Sequence, residues 1–563
     1  MTQRIVAKYW LDTGDDPMRA AETIAGEQSS GTFLKLAAET PELKERSGAR
    51  VEALDILEVL DTPSLPHAMP SQRFTRCLLT LSWPLENMGT CLPTLMATVA
   101  GNLFELRQVS GLRLLELQLP DAFAKAYPGP AYGMEGTRRL SGVKSGPLIG
   151  TIIKPSVGLN PQETAEQVKM LVDGGIDFIK DDELQADGPH CPFEERVTAV
   201  MRVVNEAAQR TGKKAMVAFN ITGELDQMQR RHDFVMRHGG TCVMACLNSV
   251  GLVGMTALRR HSALPIHAHR AGWGYLARSP ALGWDFAAWQ PFWRLAGADH
   301  LHVNGLRNKF SDPDETVIAA ARSVIQPLFK DKPMKAVPVF SSAQTGLQAQ
   351  DTFNALGNAD LIVTAGGGIF GHPQGVSAGV AALREAWDQA VTAKVEKPQA
   401  RAAGAFAYTD FGPAGQVVSD VTEPRFGIRQ VRFANGVMLN LKRTDLARDR
   451  VMVRLALDGG NMLATRDQPL ATQMMGVFGQ GGLGKHSRDE LDSLLAGRTV
   501  AVGLGAGPET FVAGATTTPA DLELQLQVLA AQLTDPGYRI EGEVLYRQTT
   551  NNFFASLGAT PDS

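Results

Sequence analysis

From about Gly146 to Lys394 the chain alternates short apolar runs with longer stretches whose apolar residues return every three or four positions. The runs are PLIGTIIK, IDFIKDDE, KAMVAFNIT, TCVMACLN, LPIHAHR, DHLHVNG, AVPVFSS and DLIVTAGGG. Each is short and β-branched or alternating, which is the pattern of a strand. Among the intervening stretches NPQETAEQVKMLVDGG is the plainest helix. Asn160 caps it, Pro161 takes its first turn and Glu163 stands at capping-box spacing. Ala165, Val168 and Val172 share a face, and Gly174-Gly175 stop it. The stop recurs: Gly175, Gly240, Gly297 and Gly357 each close a helix before the second, fourth, sixth and eighth strands. That spacing of ~60 residues is two strand–helix units. Eight such units over ~250 residues predict a (β/α)8 TIM barrel. An open doubly wound sheet is the alternative, but its glycine-rich fingerprint after the first strand is missing.

The flanks carry other patterns. In residues 1–135, RIVAKYWLD and RFTRCLLTLSWP alternate like antiparallel strands and LPTLMATVAGNLFEL reads as one helix, so an α+β domain is expected. The barrel is placed at 136–397. The poorly patterned PQARAAGAFAY marks a boundary near 395–405, and antiparallel strand signals resume in an α+β module over 405–563.

A length of 563 residues fits three such domains. The formal net charge of −4 gives no reason to expect nucleic acid as a partner. No apolar run approaches the ~20 residues of a membrane helix, and MTQRIVAKYWLDTGDD does not read as a signal peptide. A cytoplasmic protein is expected. Cys77, Cys91, Cys191, Cys242 and Cys246 read as reduced thiols, because Cys242 and Cys246 have no second cysteine pair or His-x-His beside them to complete a zinc site.

The candidate chemistry lies where the strands end, the functional face of such a barrel. The first strand ends in Lys154, the second in Lys180-Asp181-Asp182-Glu183, the fifth in His269-Arg270 and the sixth in His302. Ser341-Ser342 end the seventh, and Gly366-Gly367-Gly368 the eighth. So many ionisable groups at one mouth are costly to bury unless something pairs them. Alternation points Lys180 and Asp182 the same way with Glu183 at the turn beyond. Two carboxylates with an amine suit a hard cation such as Mg2+, or equally an ion pair beside a solvated turn. Consecutive glycine N–H groups before a helix form a phosphate cradle. With Arg270, Lys309 and Ser341 on the same mouth they suggest a phosphorylated substrate.

GTIIKPSVGLN and GGIDFIKDDE, followed in order by IHAHRAG, DHLHVNGLRNK, VPVFSS and AGGGIFGHPQG, resemble the large subunit of RuBisCO and its RuBisCO-like (form IV type) relatives. AGEQSSGTF and VAGNLFEL extend the resemblance, which covers about residues 5–395. It implies that Lys180 is carbamylated by CO2 and, with Asp182 and Glu183, holds Mg2+. Lys154 would be the proton-moving lysine, His269 and His302 substrate-binding and catalytic, and Lys309 the mobile-loop lysine. Arg270, His302 and Ser341 would surround one phosphate, and Gly366 and Gly367 the other. Glu27, Thr32 and Asn102 match residues that a partner's N-terminal domain contributes, which implies a homodimer with shared active sites.

The departures point away from a photosynthetic carboxylase. Ser156 stands where RuBisCO has a second lysine, Ala343 replaces a glycine and Phe33 a tryptophan, and the loop before Lys309 adds Arg307 and Asn308. The resemblance therefore implies a RuBisCO-like lyase or isomerase working through an enediolate of a phosphorylated keto- or acid-sugar. Arg307, a cation able to meet a substrate carboxylate, tilts the reading to decarboxylation. Methylthioribulose-phosphate-type isomerisation or enolisation is the alternative, with ribulose-bisphosphate carboxylation and a non-enzymatic scaffold behind it. After about residue 405, FAYTDFGPAGQVV, VRFANGVMLNLKRTD and GGLGKHSRDELDSLLAG resemble the metal-lacking half of an insulinase/pitrilysin-type zinc peptidase. The segment Gly459–Lys485 has neither histidine nor glutamate, and His486 with Glu490 reads as a solvated helix start.

Overall fold

A computed structural model describes residues 3–31, 36–66, 68–392, 406–444, 450–469, 471–472, 474, 481–495, 498–501, 503–539, 542–543 and 546. The chain divides into two compact units, Met1–Lys394 and Val395–Ser563.

The first unit opens with β1 (Arg4–Thr13), β2 (Arg50–Leu60), β3 (Phe74–Pro84) and β4 (Gly111–Gln118), mutually antiparallel where they pair. Alternation in β1 buries Ile5, Ala7, Tyr9 and Leu11 completely. They pack under the helices Pro17–Glu27 and Leu92–Ala100, and the Tyr9 hydroxyl donates to Val99 O at 2.7 Å. LPTLMATVAGNLFEL is not one helix. It breaks at Gly101, where a Cβ would lie 2.2 Å from Ala97 O, and resumes as a 3-10 turn, Asn102–Glu105.

The next strands are β5 (Leu148–Ile152), β6 (Phe178–Lys180), β7 (Met216–Asn220), β8 (Cys242–Cys246), β9 (Ile266–His269), β10 (Leu282–Trp284), β11 (His300–His302), β12 (Val337–Phe340) and β13 (Ile362–Thr364). Eight of them close a parallel barrel in the order β11-β12-β13-β5-β6-β7-β8-β9. Strand β10 leaves the barrel and adds in parallel to β4, so the first sheet runs β10-β4-β1-β3-β2. Arg113 on β4 clamps this joint, with Nε 2.5 Å from Asp285 Oδ1 and Nη2 donating to Trp284 O at 2.7 Å.

The helix Pro161–Asp173 has the expected reciprocal cap: Glu163 N donates to Asn160 Oδ1 at 2.9 Å, and Asn160 N to Glu163 Oε2 at 2.8 Å. Gly175, Gly297 and Gly357 are left-handed, with φ of 78°, 103° and 73°. Before β8 that role belongs to Gly239 (φ 75°) and not to Gly240, whose own hydrogen is needed because a Cβ would lie 2.3 Å from Val235 Cγ1. Leu148, Phe178, Met216, Met244, Val337, Val339 and Ile362 form an apolar cluster of buried strand side chains.

Among the described residues the second unit has two antiparallel sheets. One is β14 (Val417–Glu423), β15 (Ile428–Phe433) and β16 (Met438–Lys442); the other combines β17 (Val451–Asp458), β18 (Gly505–Ala506) and β19 (Thr510–Thr517) in the order β17-β19-β18. Helices Arg488–Leu495 and Leu522–Thr534 accompany them. Glu490 caps a helix start as read, since its Oε2 accepts from Ser487 N at 2.8 Å. His486 is instead buried: Nε2 accepts from Ala407 N at 3.0 Å and the ring stacks on Phe406. Among the described residues, no helix is long and apolar enough to cross a membrane.

Candidate active site

Just past β6 the chain turns its two aspartates apart. Asp181 turns outward to a fully buried Arg196, 3.1 Å away, and accepts from Asn220 N at 2.9 Å. Lys180, Asp182 and Glu183 belong to the mouth. Lys180 is 0 % exposed, and among the described residues the one hydrogen bond of its ammonium is to Glu183 Oε2 at 3.3 Å. Asp182 Oδ2 accepts from Lys154 Nζ at 2.7 Å, and Lys154 also donates to Ser156 Oγ at 2.8 Å. Two ammoniums therefore meet two carboxylates, and the serine that replaces a second lysine ties down the first. Asn220 Nδ2 donates to the carbonyls of Asp182 and Glu183, each at 3.2 Å, and fixes the turn.

Strands β9 and β11 pair with His300 opposite His267. One pleat further toward the mouth, the rings of His269 and His302 meet edge to face, with centroids 4.6 Å apart. His269 Nε2 is 3.5 Å from Glu183 Oε2. Burial, reinforced by Lys180, pushes His269 down to about 3, so it is neutral at pH 7. Burial works to raise Glu183, but the Lys180 ammonium beside it more than offsets this and holds the carboxyl below its ordinary range. With His269 neutral, Lys180 is the charge responsible.

Arg270 is buried, with Nη2 2.8 Å from Asp312 Oδ2, which also accepts from Asn304 Nδ2 at 2.7 Å. Ser341 Oγ lies 3.1 Å from His302 Nδ1. Gly366 and Gly367 open the short helix Gly366–Phe370, whose first N–H groups have no partner within the helix. A Cβ on Gly366 would lie 3.5 Å from Lys154 Cε, so this turn adjoins the first lysine. Gly368 admits no side chain, since a Cβ would lie 2.5 Å from Gln344 O.

Other sequence candidates are not drawn into this cluster. Lys309 is exposed, its Nζ 5.3 Å from the Phe310 ring centroid. Arg307 does not present itself to a substrate carboxylate: it pairs with Asp351 at 2.6 Å and donates to Leu347 O at 2.9 Å, from a left-handed turn (φ 49°). Glu27 and Asn102 are exposed on the N-terminal domain, and the Gln28 amide, in its satisfied orientation, accepts from Asn102 N at 3.3 Å. Thr32 and Phe33 lie outside the described residues.

Cys242 and Cys246 do have a His-x-His beside them, because β9 is the neighbouring strand and pairs Cys246 with His269. Their thiols donate elsewhere, to Pro265 O at 3.5 Å and Glu183 O at 3.9 Å, and all five cysteines are free. Asn220 and Asp312 were not anticipated. Nothing local marks them, since both act on residues far away in sequence. His267 and His300 were legible as the inner members of two His-x-His strands.

The catalytic-domain model of the ribulose bisphosphate carboxylase large chain matches residues 133–409, and the N-terminal-domain model matches residues 2–123. A 3-oxo-isoapionate-4-phosphate transcarboxylase/hydrolase of Xanthobacter autotrophicus is 66% identical over 391 residues, covering 69% of this chain and 94% of that protein. A 3-oxo-isoapionate-4-phosphate decarboxylase of Rhizobium etli is 43% identical over 389 residues, 69% of this chain and 93% of its own length. A crystal structure of a rubisco-like protein from Burkholderia fungorum superposes with a TM-score of 0.66 at 45% identity, over 70% of this chain and 96% of that one.

Proposed function

The chain belongs to the ribulose bisphosphate carboxylase large-chain family, and on that premise we propose that it acts on 3-oxo-isoapionate 4-phosphate, breaking or moving the bond to its carboxylate. The observation that carries the reading is the mouth itself: Lys154–Asp182 and Lys180–Glu183 side by side, in a unit 66% identical to the transcarboxylase/hydrolase. In a 3-oxo acid the ketone lies two bonds from the carboxylate, so loss of the carboxyl leaves its electron pair in an enolate. Protonation of that carbon completes a decarboxylation. Return of the carboxyl to another carbon, followed by cleavage with water, is the transcarboxylase/hydrolase outcome, favoured here by the higher identity.

The donor set fits Mg2+. Asp182 and Glu183 offer oxygens, and Lys180, with three N–H donors and one acceptor, would become a third anionic ligand as a CO2-derived carbamate. Mg2+ bound there would supply Lewis-acid stabilisation of charge developing on the substrate's oxygens. Lys154, held between Asp182 and Ser156, is the residue placed to deliver or remove a proton. His269, neutral at pH 7, lines the mouth without adding charge, beside the substrate-binding His302 and Ser341. The Gly366 and Gly367 N–H groups would take the phosphate. Arg270 would take the other anionic end in exchange for Asp312. Lys309 would close over the substrate, and Glu27, Thr32 and Asn102 would serve the mouth of a second copy in a cytoplasmic homodimer. Ser156 in place of a second lysine and Ala343 in place of a glycine argue against ribulose-bisphosphate carboxylation.

The test is turnover of carboxyl-labelled 3-oxo-isoapionate 4-phosphate with Mg2+ and bicarbonate. Label retained in a cleavage product marks transcarboxylation with hydrolysis, and label lost as CO2 marks decarboxylation. No consumption by the carbamylated, Mg2+-loaded protein would sink the proposal. The tail's likeness to an inactive peptidase half stays part of this reading: a tail without chemistry predicts that chain cut after residue 394 retains full turnover.

A further inference from the structure

Beneath the mouth, five side chains form one hydrogen-bonded column inside the barrel. Thr137 Oγ1 lies 2.9 Å from His300 Nε2, and His300 Nδ1 lies 3.3 Å from His267 Nδ1. His267 Nε2 is 2.8 Å from His302 Nε2, and His302 Nδ1 is 3.1 Å from Ser341 Oγ. Thr137, His267 and His300 are 0 % exposed and His302 3 %, and burial holds all three imidazoles below their usual range and therefore neutral.

A neutral imidazole has one donor and one acceptor nitrogen, so a chain of them has a direction, and one end decides it. That end is Thr137. Its hydroxyl donates to Gly133 O at 2.5 Å, and a carbonyl can only accept. Thr137 Oγ1 must then accept from His300, which puts the hydrogen on His300 Nε2. His300 Nδ1 becomes an acceptor, so His267 carries its hydrogen on Nδ1. His267 Nε2 accepts in turn, so His302 carries its hydrogen on Nε2 and Ser341 donates to His302 Nδ1.

We propose that His267 and His300, anchored by Thr137, are positioning residues that hold His302 in the Nε2–H tautomer with its Nδ1 lone pair turned to Ser341 and the mouth. Ser341 fills that lone pair with its own hydrogen and leaves its oxygen lone pairs to the mouth, so at this end the site receives hydrogen bonds and does not give them. The consequence for turnover rests on the function proposed above; the tautomer does not.

The experiment is two-bond proton–nitrogen correlation on the full-length, 15N-histidine-labelled protein, with the column resonances assigned by single His→Gln variants. The expected pattern is Nε2–H for His302 and His300 and Nδ1–H for His267. An Nδ1–H form of His302 in the unaltered protein would overturn the proposal, and no substrate is needed to read it. Thr137→Val removes the deciding acceptor and is expected to shift His302 toward Nδ1–H, whereas Thr137→Ser keeps the pattern. Turnover gives the second reading. Thr137→Val should lower kcat/KM on the order of tenfold, the effect of one hydrogen bond at a substrate-binding residue, and Thr137→Ser should restore it. Unchanged kcat/KM in a Thr137→Val protein with altered tautomers would refute the positioning role, whereas inactivity of the unaltered protein would count against the proposed function alone.

Discussion

Acidification should unfold this protein earlier than its carboxylates alone would require. His300 is fully buried and pushed down to about 3 by burial, while an unfolded histidine titrates near 6.5. A group whose folded pKa is depressed loses stability as pH falls: below 6.5 the unfolded chain takes up a proton that the folded chain refuses, and the loss grows until about pH 3. At about 1.4 kcal/mol per pH unit, His300 alone costs about 2 kcal/mol at pH 5. His267 and His302 act with the same sign. Against a total stability of ~5–15 kcal/mol these contributions are large. The assay is urea unfolding of the unaltered protein and of His300→Gln from pH 7.5 to pH 5. The two curves should converge by about 2 kcal/mol at pH 5, and difference titration should show about one proton fewer taken up on unfolding by the variant. Parallel stability curves across that range would refute the reasoning.

Three further outcomes follow from single contacts. Arg196→Met strands the buried Asp181 carboxylate and should cost about 3–5 kcal/mol in urea unfolding, because breaking one side of a buried pair leaves an uncompensated charge. Ala343→Gly should stabilise the fold by roughly 1 kcal/mol in the same assay, since Ala343 is held at a left-handed φ of 58° that glycine adopts freely. Lys154→Met should abolish turnover of 3-oxo-isoapionate 4-phosphate while the far-ultraviolet circular dichroism stays native; retained kcat would remove Lys154 from proton transfer.

The barrel was legible because both of its periods are written along the chain, and the site because barrel chemistry gathers where strands end. Where the reading slipped, tertiary packing had decided. Strand β2 went unread, since most of its residues are exposed and its Leu54, Ile56, Leu57, Val59 run does not alternate cleanly. The Gly239-Gly240 pair offered two places for one left-handed turn, and only the closeness of Val235 chooses between them. Arg307 looked like a free cation, yet its destination depends on Asp351 and on a turn that no local pattern marks. Asn220 reaches the site because β7 pairs with β6, and Asp312 because β11 pairs with β9, pairings that no local pattern announces. The inner histidines show the opposite failure. IHAH and DHLH display them openly, but they lie one pleat below the strand tips where barrel chemistry gathers.

Strand β10 makes the N-terminal domain a poor candidate for excision. A fragment cut at residue 135 would lose Leu282–Trp284 from the edge of β4 and leave Arg113 without Asp285 and the Trp284 carbonyl. An unpaired edge invites pairing with another chain. Such a fragment should aggregate unless a short peptide spanning residues 279–286 is supplied in trans. The boundary that homology draws between two domains is therefore no boundary for engineering: a chimera exchanging the N-terminal domain must carry the segment after His269 with it, and so moves part of the mouth's own scaffold.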